Sequence, residues 1–381
     1  MKGYFKLFFL ILAGASVGSA AVSANADAVD PLPIRTDQSE QMPGVSTLYR
    51  SVAVDEDTRL RIFITRPDNV AQPLHPLFLT QWVSCGPLHY QRGDSMSEMF
   101  AMMARDSGLS LVRVERSGSG DSAGVPCSEL DYDTELEHYR VAFQRVLDQP
   151  DVDPSQVFFL GLSLGATTAP LLAQHFQETG YPIGGIAVQG GGAYSYLERM
   201  LAFEQNYLDH RSDAADAADA ADAADAASRN RQYAYRAQFL IEYLAKQRHP
   251  DDIANDSPEL ALVRNDMLGL DEDSHYGRPF RWHQQAAQHD FIAAWRAIAA
   301  PVLVIFNEYD QYESRYGAEV LVENVNRGGL GSAELILQTG LGHSSGVYRD
   351  VDAAYRGLGG VKGWPRTAGQ LSAWFYRLLQ Q

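Results

Sequence analysis

Residues 157–170 read Val-Phe-Phe-Leu-Gly-Leu-Ser-Leu-Gly-Ala-Thr-Thr-Ala-Pro, an apolar strand that passes through Gly161-Leu162-Ser163-Leu164-Gly165 into a helix-compatible segment. A chain that turns from strand to helix within a residue or two has little freedom in how it folds, because the new helix must lie back over the sheet it has just left. Glycines two before and two after the serine remove side chains that would crowd the neighbouring strand and helix. The residue at the tip takes a strained backbone conformation and holds its hydroxyl clear of the sheet. This is the form of a nucleophile elbow, and it makes Ser163 the candidate nucleophile. The five-residue pattern recurs by chance in many chains; its place between a strand and a helix gives it weight.

The rest of the chain supplies the sheet such an elbow needs. Short apolar runs at Leu77–Val83, Leu109–Val114, Val157–Leu160, Ile186–Val188, Val302–Phe306 and Glu334–Leu337 read as strands covered on both faces. Leu136, Tyr139, Phe143, Val146 and Leu147 recur at helical spacing, as do Leu371, Trp374, Phe375 and Leu378. This alternation predicts an α/β fold with a doubly wound, mainly parallel sheet. Thr47–Ala53 and Arg59–Thr65 read as an antiparallel hairpin at its edge. From 194 to 299 the alternation gives way to Tyr-, Arg- and Gln-rich helical sequence, read as an inserted helical cap between core segments 27–193 and 300–381. Within it, 213–227 is five tandem Asp-Ala-Ala triplets. Their period of three sweeps the aspartates round a helix, so a solvated helix or loop is expected there and not a metal site.

Lys2 and Lys6 precede the apolar run Leu7–Ala13, and Ala24-Asn25-Ala26 has the form of a cleavage site, so 1–26 reads as a signal peptide and the protein as periplasmic or secreted. The apolar run is shorter than the roughly 20 residues that span a bilayer, and no cysteine near the cut suggests a lipid anchor. Cleavage leaves about 355 residues and removes two lysines and no acid, moving the formal charge from −17 to about −19. Such a chain repels nucleic acid and anionic membrane surfaces, and a small or neutral substrate is expected. Cys85 and Cys127 are the only cysteines, and an oxidising compartment lets them pair across two loops that should border the active site.

A serine nucleophile needs a base and an acid to orient it. Pro301 to Phe306 is a buried strand leading into Asn307-Glu308-Tyr309-Asp310, where Asp310 is the candidate acid and Glu308 its reserve. The strand Glu334–Gln338 leads into Thr339-Gly340-Leu341-Gly342-His343, whose glycines let the chain bend back and present His343 as the base. Among the other histidines, His283 and His289 are read as surface or rim residues, and His89 as one that could line the pocket. No H-E-x-x-H or similar cluster suggests a metal, and Gly190-Gly191-Gly192 lacks the lysine and spacing of a nucleotide loop, so no cofactor is expected. Those glycines read as a turn into the cap.

With the elbow GLSLG, the acid turn NEYD, the histidine turn TGLGH and the loop ERSGSGDSAG at 115–124, the chain from about Thr47 onward resembles an α/β-hydrolase with an inserted cap. The last loop is similar to that of exported bacterial acyl esterases and X-prolyl peptidases. Ala166 departs from the second glycine that many relatives carry at this point of the elbow. The resemblance implies a Ser163–His343–Asp310 triad and an oxyanion hole. One donor is the backbone N–H of Leu164; the other comes from Ser84, Cys85 or Gly86, with Cys85 favoured because a disulfide there would hold its amide. Met96, Met99, Met102 and Met103 on the following helix are read either as an adaptable pocket wall or as core. Three functions follow from such a site: a carboxylic-ester hydrolase; a peptidase that binds a substrate amine through Glu198, Glu204 or Glu242; and a non-catalytic binding protein on the same fold.

Overall fold

The computed structural model describes residues 39–68, 70–71, 73–191, 195–210 and 222–381. The expected signal peptide at 1–26 and the Asp-Ala-Ala triplets at 213–221 lie outside those residues. Along the chain come β1 (Val45–Ala53), β2 (Arg59–Pro67), β3 (Pro76–Thr80), α1 (Ser95–Ser107), β4 (Ser110–Val114), α2 (Tyr132–Leu147), β5 (Val157–Leu162), α3 (Gly165–Glu178) and β6 (Ile183–Gln189). A helical stretch follows, with α4 (Tyr196–Asp209), α5 (Asp222–Leu240) running into a π turn at Ile241–Ala245, α6 (Pro250–Ala254) and α7 (Pro258–Asp266). It continues through a small hairpin, β7 (Ser274–His275) and β8 (Arg278–Pro279), into α8 (Phe280–Ala286) and α9 (Phe291–Ala297). The chain then returns to the sheet with β9 (Pro301–Tyr309), α10 (Arg315–Gly328), β10 (Ser332–Gly342), β11 (Gly346–Val347), α11 (Val351–Tyr355), β12 (Val361–Lys362) and α12 (Trp364–Leu379).

The ten-stranded sheet runs β1-β2-β4-β3-β5-β6-β9-β10-β11-β12. Strands β4 to β10 in that order are parallel; the β1–β2 hairpin at one edge and β11–β12 at the other pair antiparallel. A strand's side chains alternate between faces, and here both faces are dry. On β5, Phe159 packs with Phe78, Phe143 and Phe176 under α2 and α3, while Phe158 and Leu160 face the other way, with Phe375 edge-on to Phe158 and α1 alongside. That is why the central strands read as unbroken apolar runs. Among the described residues, no helix is long and apolar enough to cross a membrane.

The strand limits differ from the sequence reading where polarity and pairing part company. β10 continues five residues beyond Leu337, because ladder bonding does not require apolar side chains. β3 stops at Thr80, before the expected end at Val83, because the start of α3 crosses its end: the Thr80 hydroxyl donates to the Gly165 carbonyl at 2.7 Å.

A buried ion pair joins the N-terminal segment to β4. Arg113 donates from both terminal nitrogens to Glu40 at 2.8 and 2.6 Å, and also to Leu88 O and Thr65 Oγ1, with both side chains of the ion pair fully enclosed. Burial raises the Glu40 pKa, but the Arg113 charge and its hydrogen bonds outweigh this and the net shift is downward. Arg113→Ala is expected to lower unfolding free energy in urea by about 3–5 kcal/mol, since it leaves a carboxylate buried alone. Because the folded pKa of Glu40 is depressed, its stabilisation is complete above the ordinary carboxylate range and is lost as pH falls through the folded value. Urea midpoints measured from pH 7 downward should therefore fall in the parent and fall less in Arg113→Ala.

Candidate active site

Ser163 sits between β5 and α3 with φ of +53°, a left-handed conformation that a residue with a Cβ adopts only under constraint. Its N–H donates to Gln189 O at 2.8 Å and its carbonyl accepts from Ala166 N at 2.9 Å. A Cβ on Gly165 would lie 1.9 Å from the Thr80 carbonyl oxygen, so the helix can start here only without a side chain. Gly190 and Gly191, read from sequence as a turn into the cap, have a closer role. A Cβ on Gly191 would lie 2.3 Å from that of Ala166 and 2.5 Å from Ser163 O, and one on Gly190 would lie 2.9 Å from His343 Cε1. The signal for this was available, since two glycines directly after the strand adjacent to the elbow mark a close backbone approach.

Asp310 follows β9 and is buried, and its Oδ1 accepts the N–H groups of Tyr312 at 2.9 Å and Glu313 at 3.1 Å. Both carboxylate oxygens lie 2.9 Å from His343 Nδ1, and His343 Nε2 lies 2.9 Å from Ser163 Oγ. The structure thus brings together the three residues singled out in the sequence. A carboxylate that already accepts two backbone N–H groups leaves Nδ1 as the proton-bearing nitrogen, with Nε2 free to accept from the serine. The imidazole is held from several sides: His343 N donates to Gln311 Oε1, its carbonyl accepts from Gln189 Nε2, and Tyr312 packs edge-on at 4.7 Å. Glu308 is not brought to the ring; its carboxylate accepts the Gly340 N–H at 2.8 Å.

The chain after β3 is arranged differently from expectation. Trp82, Val83 and Leu164 line the cavity beside Ser163, whereas Cys85 does not. Because β3 ends early, the residues that line the cavity next to the elbow are Trp82 and Val83, and Cys85 lies further along the loop. There it forms a disulfide with Cys127, and its carbonyl accepts from Ser119 Oγ at 2.7 Å. Arg116, in the glycine- and serine-rich loop, donates to Trp82 O and Ser84 O at 2.7 Å each and to Glu135 at 2.7 Å. Glu115 accepts from Leu88 N and Asp121 N. Glu135 also accepts from Trp282 and Arg278, residues of the helical insertion, and Arg278 lies against both disulfide sulfurs. Burial raises the Glu135 pKa, but Arg116 and Arg278 outweigh it and hold the carboxyl below its usual value. Burial, opposed by Glu135, brings Arg278 down to about 10.

A cavity of about 420 Å³ opens over Ser163 and His343, walled mostly by apolar and aromatic side chains such as Trp82, Met96, Met99, Met200, Phe203 and Trp364. The methionine helix divides: Met96 and Met99 face the cavity, and Met103 is core. His89 is not part of the wall and packs against Tyr49 and Phe63. His283, expected near the surface, is fully buried between the Tyr196 hydroxyl at 2.6 Å and His275 O at 2.7 Å, and burial holds its pKa well below the ordinary histidine value. His289 pairs with Asp133 at 2.8 Å. The three carboxylates considered for amine binding lie elsewhere: Glu198 is at the start of α4 with Ser195, Glu204 is paired with Arg236, and Glu242 with Lys246 and Arg248.

Two residues beside Asp310 and the cavity were not identified from sequence. Arg199 of α4 reaches the cavity wall and forms a buried ion pair with Glu313, whose own N–H bonds Asp310. Burial pushes Glu313 up to about 7; Arg199 opposes the rise and Asp310 adds to it. A charged residue within a helical stretch reads as solvated surface, and neither had a motif to mark it.

No family model matches the chain. A polyketide transferase of Penicillium crustosum, claH, is 33% identical over 76 residues, which is 20% of this chain and only about a quarter, 25%, of that relative's length. Among solved structures, a variant of the esterase rPPE superposes with a TM-score of 0.51 at 14% identity, over 90% of this chain and 85% of the other. Carboxyl esterase 2 of the mycorrhizal fungus Tuber melanosporum gives 0.51 at 14% identity over 91% and 92%, and a bacterial heroin esterase gives 0.50 at 15% over 90% and 86%. Likeness at such low identity is a likeness of fold. The mostly parallel ten-stranded sheet with helices on both faces agrees with it, and the chain has the α/β-hydrolase fold.

Proposed function

We propose that this protein hydrolyses carboxylic esters of small molecules through an acyl-enzyme formed on Ser163. The observation that carries this reading is the single imidazole, His343, placed 2.9 Å from Ser163 Oγ and 2.9 Å from both Asp310 oxygens. Its setting at the wall of a largely apolar cavity supports the same reading, as does the fold shared with structures titled as esterases. Ser163 Oγ attacks the ester carbonyl carbon as its proton passes to His343 Nε2, and Asp310 orients and stabilises the imidazolium. The oxyanion accepts from Leu164 N and from a backbone N–H of the Trp82–Val83 segment, a reassignment from Cys85. Collapse expels the alkoxide, which takes the proton from Nε2. Water then attacks the acyl carbon, again losing its proton to His343, and Ser163 leaves with a proton restored.

In this reading 27–193 and 300–381 form the catalytic core, 194–299 the cap that sets specificity, and 1–26 an export signal to the periplasm or exterior, where the Cys85–Cys127 disulfide is stable. The peptidase alternative loses its support, since none of Glu198, Glu204 and Glu242 lines the cavity.

Ser163→Ala is expected to reduce turnover of short p-nitrophenyl esters by about 10⁴-fold or more and to abolish fluorophosphonate labelling. Activity that survives the substitution overturns the assignment of Ser163, and a parent that neither turns over esters nor takes the label overturns the esterase reading in favour of a binding protein. Asp310→Asn should lower kcat by about 10³–10⁴-fold with the melting temperature nearly unchanged, whereas Glu308→Gln should stay within about threefold of the parent. Equal losses in the two variants would contradict the assignment of Asp310.

A further inference from the structure

Four of the buried arginines spend both terminal nitrogens on protein partners. Arg113, Arg116, Arg236 and Arg278 each place both of them against carboxylates, carbonyls or sulfurs. Arg199 does not. Its Nε donates to Glu313, and among the described residues its two terminal nitrogens have no hydrogen-bond partner, although its side chain is only 7% exposed. Nor are those nitrogens sealed in, as the unpartnered Nε atoms of Arg113 and Arg278 are. A guanidinium carries five donors in a fixed fork matched to a carboxylate, so most of the recognition capacity of Arg199 is unspent.

Arg199 borders two openings. The smaller one, of about 370 Å³, is also lined by Glu198 and Glu313, which would repel an anion. The main cavity has no Asp or Glu on its described wall, and its other neighbours of Arg199 are apolar or aromatic, including Tyr196, Met200, Phe203, Tyr276 and Tyr312. In so apolar a site a single cation with free donors selects a single anion. We propose that Arg199 anchors a carboxylate borne by the substrate, so that the preferred esters have an apolar or aromatic body with one acidic group, as in the monoesters of dicarboxylic acids. Glu313, with a pKa raised to about 7 by burial against the opposing effect of Arg199, can accept a proton as the second carboxylate arrives, which relieves the crowding of two anions on one guanidinium.

Arg199 meets a substrate only where Ser163 is the nucleophile, so this inference rests on the ester-hydrolase reading, and a binding measurement separates the two. The probes are 4-phenylbutyrate and its neutral amide, titrated calorimetrically into the purified protein. The parent should bind the acid about tenfold or more tightly than the amide, in line with a charge-assisted pair in a desolvated site. Arg199→Met should erase that preference. Because the single change leaves Glu313 buried without its partner, Arg199→Met/Glu313→Gln, which keeps the shapes without the charges, is measured alongside and should erase it too. In parallel, the ratio of kcat/KM for mono-4-nitrophenyl adipate over 4-nitrophenyl hexanoate should fall about tenfold or more in the double variant. No preference for the acid in the parent, or a preference that survives in a folded variant, overturns the assignment of Arg199. Arg199-dependent binding without turnover of either ester upholds the anion site and overturns the esterase reading instead.

Discussion

The approach of α3 to the end of β3 is the constraint on which the site depends. Gly165 starts the helix so close to Thr80 that no side chain would fit, and the Thr80 hydroxyl donates across the contact. That approach forces Ser163 into a left-handed backbone conformation, and such strain persists only where the surroundings over-determine it. Here those surroundings are the parallel strands on either side, β3 and β6, the Gln189 carbonyl that accepts the serine N–H, and the side-chain-free surface of Gly191. The same crowding ends β3 early and hands the position opposite the serine to Trp82 and Val83.

Around that rigid centre the loops are held by charge. Glu135 on α2 takes Arg116 from the loop after β4 and Arg278 from the insertion, and Arg116 in turn holds the carbonyls of Trp82 and Ser84. A single carboxylate therefore links the core helix, the chain beside the nucleophile and the insertion. On the other side of the cavity, Arg199 and Glu313 link α4 to the turn that presents Asp310. Buried pairs of this kind add little net stability relative to well-packed apolar groups, yet breaking one costs about 3–5 kcal/mol. Their effect is to define relative position, which the 2.9 Å contacts among Ser163, His343 and Asp310 need more than extra stability.

Elements with strong local signals were legible in the sequence. The strands of the dry sheet show as apolar runs, the elbow and histidine turn as glycines at set offsets from Ser163 and His343, and Asp310 as a carboxylate in the turn after an apolar strand. The Cys85–Cys127 disulfide pairs the two cysteines of the chain, as their count suggested. What misled was position across space: Cys85, read as an oxyanion donor, does not line the cavity, His283, read as a surface or rim residue, is buried, and Glu198, Glu204 and Glu242, the carboxylates a peptidase would need, lie off the cavity wall.

Sequence alone determined the order of strands and helices, the elbow and the identity of Ser163, His343 and Asp310 as the residues to watch, because each of these is encoded by periodicity or by glycine within a few residues of chain. Only the tertiary structure decided which residues wall the cavity, how Gly190 and Gly191 make room for the imidazole and the elbow, and that Arg199 reaches the cavity wall paired with Glu313. Most of those outcomes come from segments far apart in the chain packing together, and no local pattern in either segment records its partner.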